Sequence, residues 1–430
     1  MVERRTPIKV SEAIQRIMEW KRRGEIEYVK IDSCDRRFLG KPLTADHDVP
    51  PFDRSPYDGF AVRSEDTMGA SSDSPVFLEV MDEIGAGQVS THRVGKMEAI
   101  RIMTGAQIPE GADCVVMLEL AHEVQRDGKT FIAIKRPFQK HANISFQGED
   151  AKKGQHLIKE GIQINPGVKA LLATFGYAKV PVVKPPTVGV LSTGSELLNV
   201  DEELVPGKIR NSNLYMIASQ IERAGGKVKS YGQCADDVDS VLRAVETAYK
   251  ECDIVITTGG VSVGDFDFLP EIYRRMNAKV LFNKIAMRPG SVTTAAVLDG
   301  KLLFGLSGNP SACYVGFELY VRPVIRYWLH SPNPYLRQGK AFLQADFPKP
   351  NPFSRFVRSK VVYGEDGNLY VQPVGLDKSG VVTSLAWSDC FMVLPGGTRG
   401  FEKGDLVDVL FLEDNTGSES WWKEGKTSSK

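Results

Sequence analysis

Residues 253–268 read DIVITTGGVSVGDFDF, and the fold is decided there. Asp253 to Thr257 is a short, continuously apolar, β-branched run, the pattern of a strand buried on both faces. It leads into Thr258, Gly259 and Gly260, then Val261-Ser262-Val263, then Gly264 with Asp265 and Asp267 behind it. Glycines after a buried strand let backbone N–H groups approach a bound oxyanion, where a Cβ would intervene. In parallel α/β sheets such strand ends are the usual place for ligands. The spacing from Gly259 to Gly264 imitates a phosphate-binding loop, but Asp265-Phe266 stands where that motif needs Lys-Ser/Thr. This argues against an NTPase and suits a divalent metal held against a phosphate ester. The alternative is a structural turn that only caps a helix.

On either side of this stretch the chain repeats the same grammar. Pro185-Pro186 marks a boundary, and the strand Thr187–Leu191 ends in Ser192-Thr193-Gly194-Ser195-Glu196. Ser212 is placed to cap a helix with Leu214, Ile217, Ala218 and Ile221 on one face, closed by Gly225-Gly226. A strand at 227–231 follows, then a helix capped by Asp236-Asp237 with Val238, Val241, Leu242, Val245 and Tyr249 on one face. Strands near 279–285, 292–298 and 301–305 come next. The last runs into Gly305-Leu306-Ser307-Gly308-Asn309-Pro310 and a helix to about Trp328. Alternating strands and amphipathic helices predict an α/β domain over 184–330 with a mainly parallel sheet covered on both faces. The strand ends at 192–196, 257–267 and 305–310 would converge on one edge.

The flanks read differently. Ser11 can cap a first helix with Ala13, Ile14, Ile17 and Met18 on its apolar face, ended by Gly24. Residues 45–60 hold three prolines and four aspartates, which predicts a rigid irregular loop. From Val62 to about Ile134 the short runs VFLEV, AIRIMTG, CVVML and TFIAI predict a β domain. Residues 136–150 form a polar connection, and Pro166-Gly167 starts a helix over Val168–Phe175. The expected division is a helical and mixed domain from 1–45 and 143–183, with an inserted β domain at 46–142. Ser331-Pro332-Asn333-Pro334 reads as a linker. Short β runs between 340 and 411 predict a second β domain over 335–412. The tail at 413–430 is polar and expected to be disordered despite Trp421-Trp422.

Bulk numbers narrow the class. At 430 residues several domains are expected; apolar residues make up 42% and charged residues 25%, as in ordinary soluble proteins. Lys+Arg and Asp+Glu both total 54, so nothing favours a nucleic-acid or membrane-surface partner. No apolar run reaches the length of a membrane span, and MVERRTPIKV lacks the apolar core of a secretion signal. Six scattered cysteines without a CxxC predict reduced thiols and a cytoplasmic protein. Dispersed histidines make a His/Cys zinc site an unpromising reading.

Six stretches together resemble the molybdopterin molybdenumtransferase family, or molybdenum insertases, to which the gephyrin E domain belongs. They are SPYDGFAV (55–62), RIMTGAQIPEGADCVVMLE (101–119), GED (148–150), GVLSTGSEL (189–197), GGVSVGDFD (259–267) and SGNPSA (307–312). The resemblance spans roughly residues 8–410 in consistent order. It implies four subdomains: a helical linker region, an inserted β domain, a molybdopterin-adenylyltransferase-like sheet domain and a C-terminal β barrel. It also implies the reaction, in which molybdate enters the dithiolene of adenylylated molybdopterin and AMP is released with help from Mg²⁺ or another divalent cation. A bond of that kind needs cations to offset charge and fixed donors to orient it.

Carried over by position, the family's catalytic residues fall on Asp58, Thr104, Asp150, Glu196, Asp236 and Asp267. Glu196, Asp236 and Asp267 are the metal ligands so implied. Substrate binding falls on Gly259, Gly260, Ser262, Gly264, Asp265, Lys284, Arg288, Ser307, Gly308, Asn309 and Pro310. Arg358 and Ser379 match residues of the C-terminal domain that contact molybdate. The family also implies a homodimer and contact with a molybdopterin adenylyltransferase. Departures exist: Arg288-Pro289-Gly290-Ser291-Val292 replaces the usual KPGKP, and Ser307 replaces the first proline of PGNP. An arginine fork arranges oxyanion contacts differently from a lysine point charge. Taken without the resemblance, Asp236 and Glu196 could only favour helix starts, Thr104-Gly105 could be a hairpin turn, and Arg358 reads as a surface charge on a strand. Two other functions compete: a molybdopterin adenylyltransferase, disfavoured by the extra β domains, and a non-catalytic scaffold, disfavoured by the retained acids.

Overall fold

Asp253 is followed by a strand, Ile254–Thr258, whose five residues are all buried. It is flanked in parallel by Thr187–Thr193 and Lys301–Leu306. This computed structural model describes residues 6–235, 237–260, 268–350, 352–412 and 417–422. The six-stranded sheet runs Lys227–Cys234, Thr187–Thr193, Ile254–Thr258, Lys301–Leu306, Thr294–Leu298, Lys279–Phe282. Its first three junctions are parallel and its last two antiparallel. Successive side chains of a strand face opposite ways, so Val188, Val190, Ile254 and Ile256 join Ile217 and Ile221 in one core. Leu191 and Val255 join Val241, Val245 and Ile272 in another. Each such side chain taken from water contributes about 1.5–3 kcal/mol. The continuous apolar runs therefore demand helices on both faces.

Capping differs from expectation in its residues. Ser212–Ala224 is capped by Asn211, whose side chain accepts from Leu214 N at 3.2 Å, and Ser212 is its first residue. Gly225, at φ 98°, ends it. Val238–Glu251 is capped by Asp237, which accepts from Ser240 N at 2.8 Å; Asp236 lies outside the described residues. The first helix is Val10–Met18, with Lys9 at its N-cap and no side-chain cap, so Ser11 sits inside it. Gly24 does not end that helix. It packs so closely on the Trp328 indole that a Cβ would lie 2.3 Å from Nε1.

The chain forms two compact units, one of residues 42–159 and 174–176, the other of the remaining chain. In the smaller unit the sheet order is Cys114–Met117, Gly59–Val62, Glu98–Ile102, Val76–Ile84, Lys129–Ile134, Ala121–Arg126. The irregular loop predicted to reach residue 60 stops earlier. Gly59–Val62 is a wholly buried strand between two antiparallel neighbours, and Gly59 opens it because a Cβ there would lie 2.1 Å from Val116 O.

In the larger unit the C-terminal strands close on themselves. Ser354–Tyr363 pairs with Leu369–Pro373 and Cys390–Leu394; Leu406–Phe411 pairs with Cys390–Leu394 and Arg337–Leu343; the last meets Leu369–Pro373. The result is a five-stranded barrel, and Met287–Arg288 adds to its Ser354–Arg355 edge. Of the tail expected to be disordered, residues 417–422 are described and are packed, while 413–416 and 423–430 lie outside the described residues. Trp422 is only 3% exposed and donates Nε1–H to Asp408 Oδ2 at 2.8 Å, while Ser418 pairs with Tyr335. Burying an indole outweighs the polar composition around it.

Candidate functional site

The parallel registers place Ser192 beside Thr258 and Thr258 beside Leu306, so three turns leave one edge of the sheet together. Gly259 and Gly260 have φ of 89° and 63°, a region that disfavours side chains. A Cβ on Gly259 would lie 2.3 Å from Thr193 O, so the two turns pack backbone to backbone. Gly259 N–H donates to Leu306 O at 3.1 Å. Glu196 is exposed and, contrary to a helix-start role, precedes the two-residue strand Leu197–Leu198. Gln233 Nε2 donates to Gly194 O at 3.0 Å and to Leu197 O at 3.2 Å, and Lys208 Nζ donates to Ser195 O, which hold that turn.

The third turn is tied on both sides. Asn213 Nδ2 donates to Gly308 O at 2.9 Å, and Ser307 Oγ accepts from Asn309 N at 3.2 Å. Ser311 N–H donates to Ser379 O at 3.0 Å and Ser311 Oγ to Val381 O at 2.5 Å, joining the turn to a loop of the barrel. Between these segments lies a cavity of about 800 Å³, within the usual range for a bound small molecule. Glu196, Gly259, Gly260, Ser307, Gly308, Asn309, Pro310 and Ser379 all line it. The structure thus gathers eight residues predicted from three separated motifs and the barrel. Ser262, Gly264, Asp265 and Asp267, like Asp236, lie outside the described residues.

The cations are placed differently. Gly290, Ser291 and Val292 line the cavity, but its described lining includes neither Lys284 nor Arg288. Lys284 O accepts from Ile8 N at 3.1 Å, and Arg288 is exposed at the edge of the barrel ladder. Arg358, read on local pattern as a surface charge, is 1% exposed. Its Nε donates to Ser384 Oγ at 3.1 Å and its Nη2 to Leu376 O and Lys378 O at 3.1 and 3.2 Å. Burial pushes its guanidinium below the ordinary arginine value, with Asp377 opposing.

In the smaller unit, Asp58 and Thr104 meet. Asp58 Oδ1 accepts from Thr104 N at 2.7 Å and from Thr104 Oγ1 at 2.8 Å. Those two bonds hold the Asp58 carboxyl below its usual range. The turn is laced to the preceding loop by Gly105 N to Ser55 O at 2.8 Å and Ser55 N to Ala106 O at 3.0 Å. Asp150 is exposed beside the Val49–Ala151 bridge, where its N–H donates to Val49 O at 2.9 Å. Among the described residues no group of three or more His, Cys, Asp or Glu is arranged to hold a metal, and no helix is long and apolar enough to cross a membrane.

Sequence reasoning missed Gln233, Asn213 and Ser311, which position the turns. Ser311 lies inside a quoted motif; Gln233 and Asn213 carry no local signal, since their partners are 36 to 95 residues away.

The MoeA N-terminal region (domain I and II) matches residues 8–176. The probable molybdopterin binding domain matches 189–327, and the MoeA C-terminal region (domain IV) matches 340–412. The molybdopterin molybdenumtransferase of Bacillus subtilis (strain 168) is 56% identical over 430 residues, covering 100% of both chains. That of Staphylococcus aureus (strain COL) is 50% identical over 419 residues, covering 97% of this chain and 99% of its own. The crystal structure of the molybdopterin biosynthesis moeA protein from Pyrococcus horikoshii OT3 superposes with a TM-score of 0.80 at 30% identity, covering 95% of this chain and 100% of that one.

Proposed function

Because the chain belongs to the molybdopterin molybdenumtransferase family, we propose that it inserts molybdate into the dithiolene of adenylylated molybdopterin and releases AMP. It is a transferase of molybdenum cofactor biosynthesis, and molybdopterin and molybdate are the family's substrates. The observation that carries the finer reading is the cavity where the glycine turns of the sheet meet Ser379 of the barrel loop. Gly259 and Gly260 leave room for an anionic group to approach the backbone, and Ser379 of the barrel loop lines the same cavity.

A divalent cation fits the donor chemistry: Glu196 is an exposed carboxylate on the cavity, with no ion pair among the described residues. Hard carboxylate oxygens of this kind hold Mg²⁺ beside phosphate oxygens. Glu196, Asp236 and Asp267 would hold it, and when bound it offsets charge on the phosphate bridge. Asp58, kept ionised by Thr104, adds a fixed charge and acceptor, and Asp150 a second carboxylate. Ser379 on the cavity wall orients the dianion, with Arg358 fastened behind its loop, and Lys284 and Arg288 add positive charge outside the described lining. The active form is a homodimer in the cytoplasm that receives its nucleotide-linked substrate from an adenylyltransferase by direct contact.

The test is incubation with adenylylated molybdopterin, Mg²⁺ and molybdate while AMP is followed. Molybdate-dependent AMP is expected. ATP turnover without that substrate would favour an adenylyltransferase, and inertness a scaffold. For the dimer, an Asp58→Ala chain mixed with a Glu196→Gln chain should recover part of the activity. No rescue despite demonstrated subunit exchange refutes a shared site.

A further inference from the structure

Asp377 stands two residues before Ser379, and its side chain is only 8% exposed. Arg355 Nη1 bonds its Oδ2; Lys349 Nζ lies 3.7 Å from the same oxygen, and Arg358 Nη1 lies 3.7 Å from Oδ1. Arg355 and Arg358 both belong to the strand Ser354–Tyr363. Arg358 also donates to Leu376 O and Lys378 O, on either side of Asp377. Three consecutive loop residues are therefore fastened to one strand immediately before the loop turns to the cavity. The same strand pairs Arg355 with Arg288, just ahead of the lining residues Gly290, Ser291 and Val292.

The charges require a counterweight. Two arginines 8% and 1% exposed would repel each other and seek other acceptors if nothing neutral or negative stood between them. Asp377 hydrogen-bonds Arg355 directly, while Arg358 is oriented by Ser384 Oγ and the two loop carbonyls and has its charge offset by Asp377 at 3.7 Å, next to the otherwise unpartnered Arg358 Nη1. A loop held in advance in its binding arrangement costs no reorganisation when the anion arrives.

We propose that Asp377 is a positioning residue for the anionic substrate: it sets Arg355 and Arg358, and through them places the Ser379 segment of the cavity wall. This rests on the reading that the Ser379 loop meets molybdate. Asp377 does not touch the anion itself. It acts by keeping the loop and two guanidinium groups in one arrangement.

The test uses the full-length chain with molybdate alone as probe, by equilibrium dialysis with metal analysis, alongside the molybdate dependence of AMP release. Asp377→Asn keeps the shape and removes the charge. It should raise half-saturating molybdate about 10-fold, the scale of one charge-assisted hydrogen bond, with a much smaller change in AMP release at saturating molybdate. Asp377→Glu, which keeps the charge, should recover most of the molybdate affinity that Asp377→Asn loses. Ser379→Ala is the companion variant and should also weaken molybdate binding. If Ser379→Ala weakens binding while Asp377→Asn matches wild type, the role of Asp377 is refuted and the anion reading stands. If neither variant shifts, or only Asp377→Asn does, the loop is not the route and the inference falls. Should Asp377→Asn not fold, Arg355→Lys keeps charge but loses the fork, and unchanged molybdate dependence there overturns the proposal.

Discussion

Gly259→Ala tests the close approach on which the sheet-end cavity depends. The residue has φ 89°, and the new Cβ would lie 2.3 Å from Thr193 O and 2.9 Å from Thr193 Oγ1. The first of these is about 1 Å short of ordinary contact and involves backbone, so the ends of two neighbouring strands must separate. Left-handed backbone costs an L-residue about 1–2 kcal/mol, and overpacking of a close contact adds about 1–3 kcal/mol. A total near 3 kcal/mol, with a urea slope of about 3 kcal/mol/M, lowers the midpoint by about 1 M. Gly207→Ala is the control, because Gly207 has φ 79° but nothing within 4 Å of an added Cβ. It should cost only the backbone part, about 1 kcal/mol. All five tryptophans, Trp20, Trp328, Trp387, Trp421 and Trp422, lie in the unit that holds the sheet, so indole fluorescence reports its unfolding. AMP release from Gly259→Ala should fall with stability, and in Gly207→Ala it should not. Equal midpoints for the two variants would refute the packing argument.

Three further outcomes follow from named contacts. Asn211→Ala should destabilise the sheet unit by about 1 kcal/mol through loss of the helix cap, whereas Ser212→Ala removes no cap; urea midpoints separate the two. Trp422→Ala should cost about 3–5 kcal/mol in the thermal or urea transition, because a side chain 3% exposed leaves a cavity and Asp408 Oδ2 loses the indole donor. Thr104→Ala should raise the Asp58 pKa toward the ordinary value by removing one of its two bonds, measured by carboxyl NMR titration. In the wild type that depressed value means the stabilising contribution of Asp58 is complete above about pH 3.9 and is lost as pH falls through the folded pKa. The variant should lose it at a higher pH.

Much of the sheet was legible because its signal is local. Ile254–Thr258 announces two-sided burial by having no polar residue facing out, and the glycines after it announce a turn that a Cβ would block. Caps were displaced by one residue, from Ser212 to Asn211, because Ser and Asn are both good acceptors and only the backbone decides which stands at the boundary. Gly59–Val62 was hidden by the prolines and acids before it, although its own four residues are wholly buried. Arg358 could not be recognised as buried, since its partners Leu376, Lys378 and Ser384 come from a loop and turn 18 to 26 residues away. Trp421-Trp422 was overruled by the polar tail around it, yet one indole found a core and an acceptor. Sheet and barrel meet through Ser311 and the carbonyls of Ser379 and Val381, a contact no periodicity encodes.

The most direct test of the account is AMP release by Glu196→Gln. Glu196 is the described carboxylate of the predicted metal set that lines the cavity, and Gln preserves its size and length while removing its charge. With adenylylated molybdopterin, molybdate and Mg²⁺ all saturating, turnover should fall at least about 100-fold, the scale of losing one preorganised electrostatic group. The urea midpoint should stay close to wild type, since the side chain is exposed. Turnover within about 2-fold of wild type, against that expected loss, would contradict the account and place the chemistry outside the sheet-end cavity.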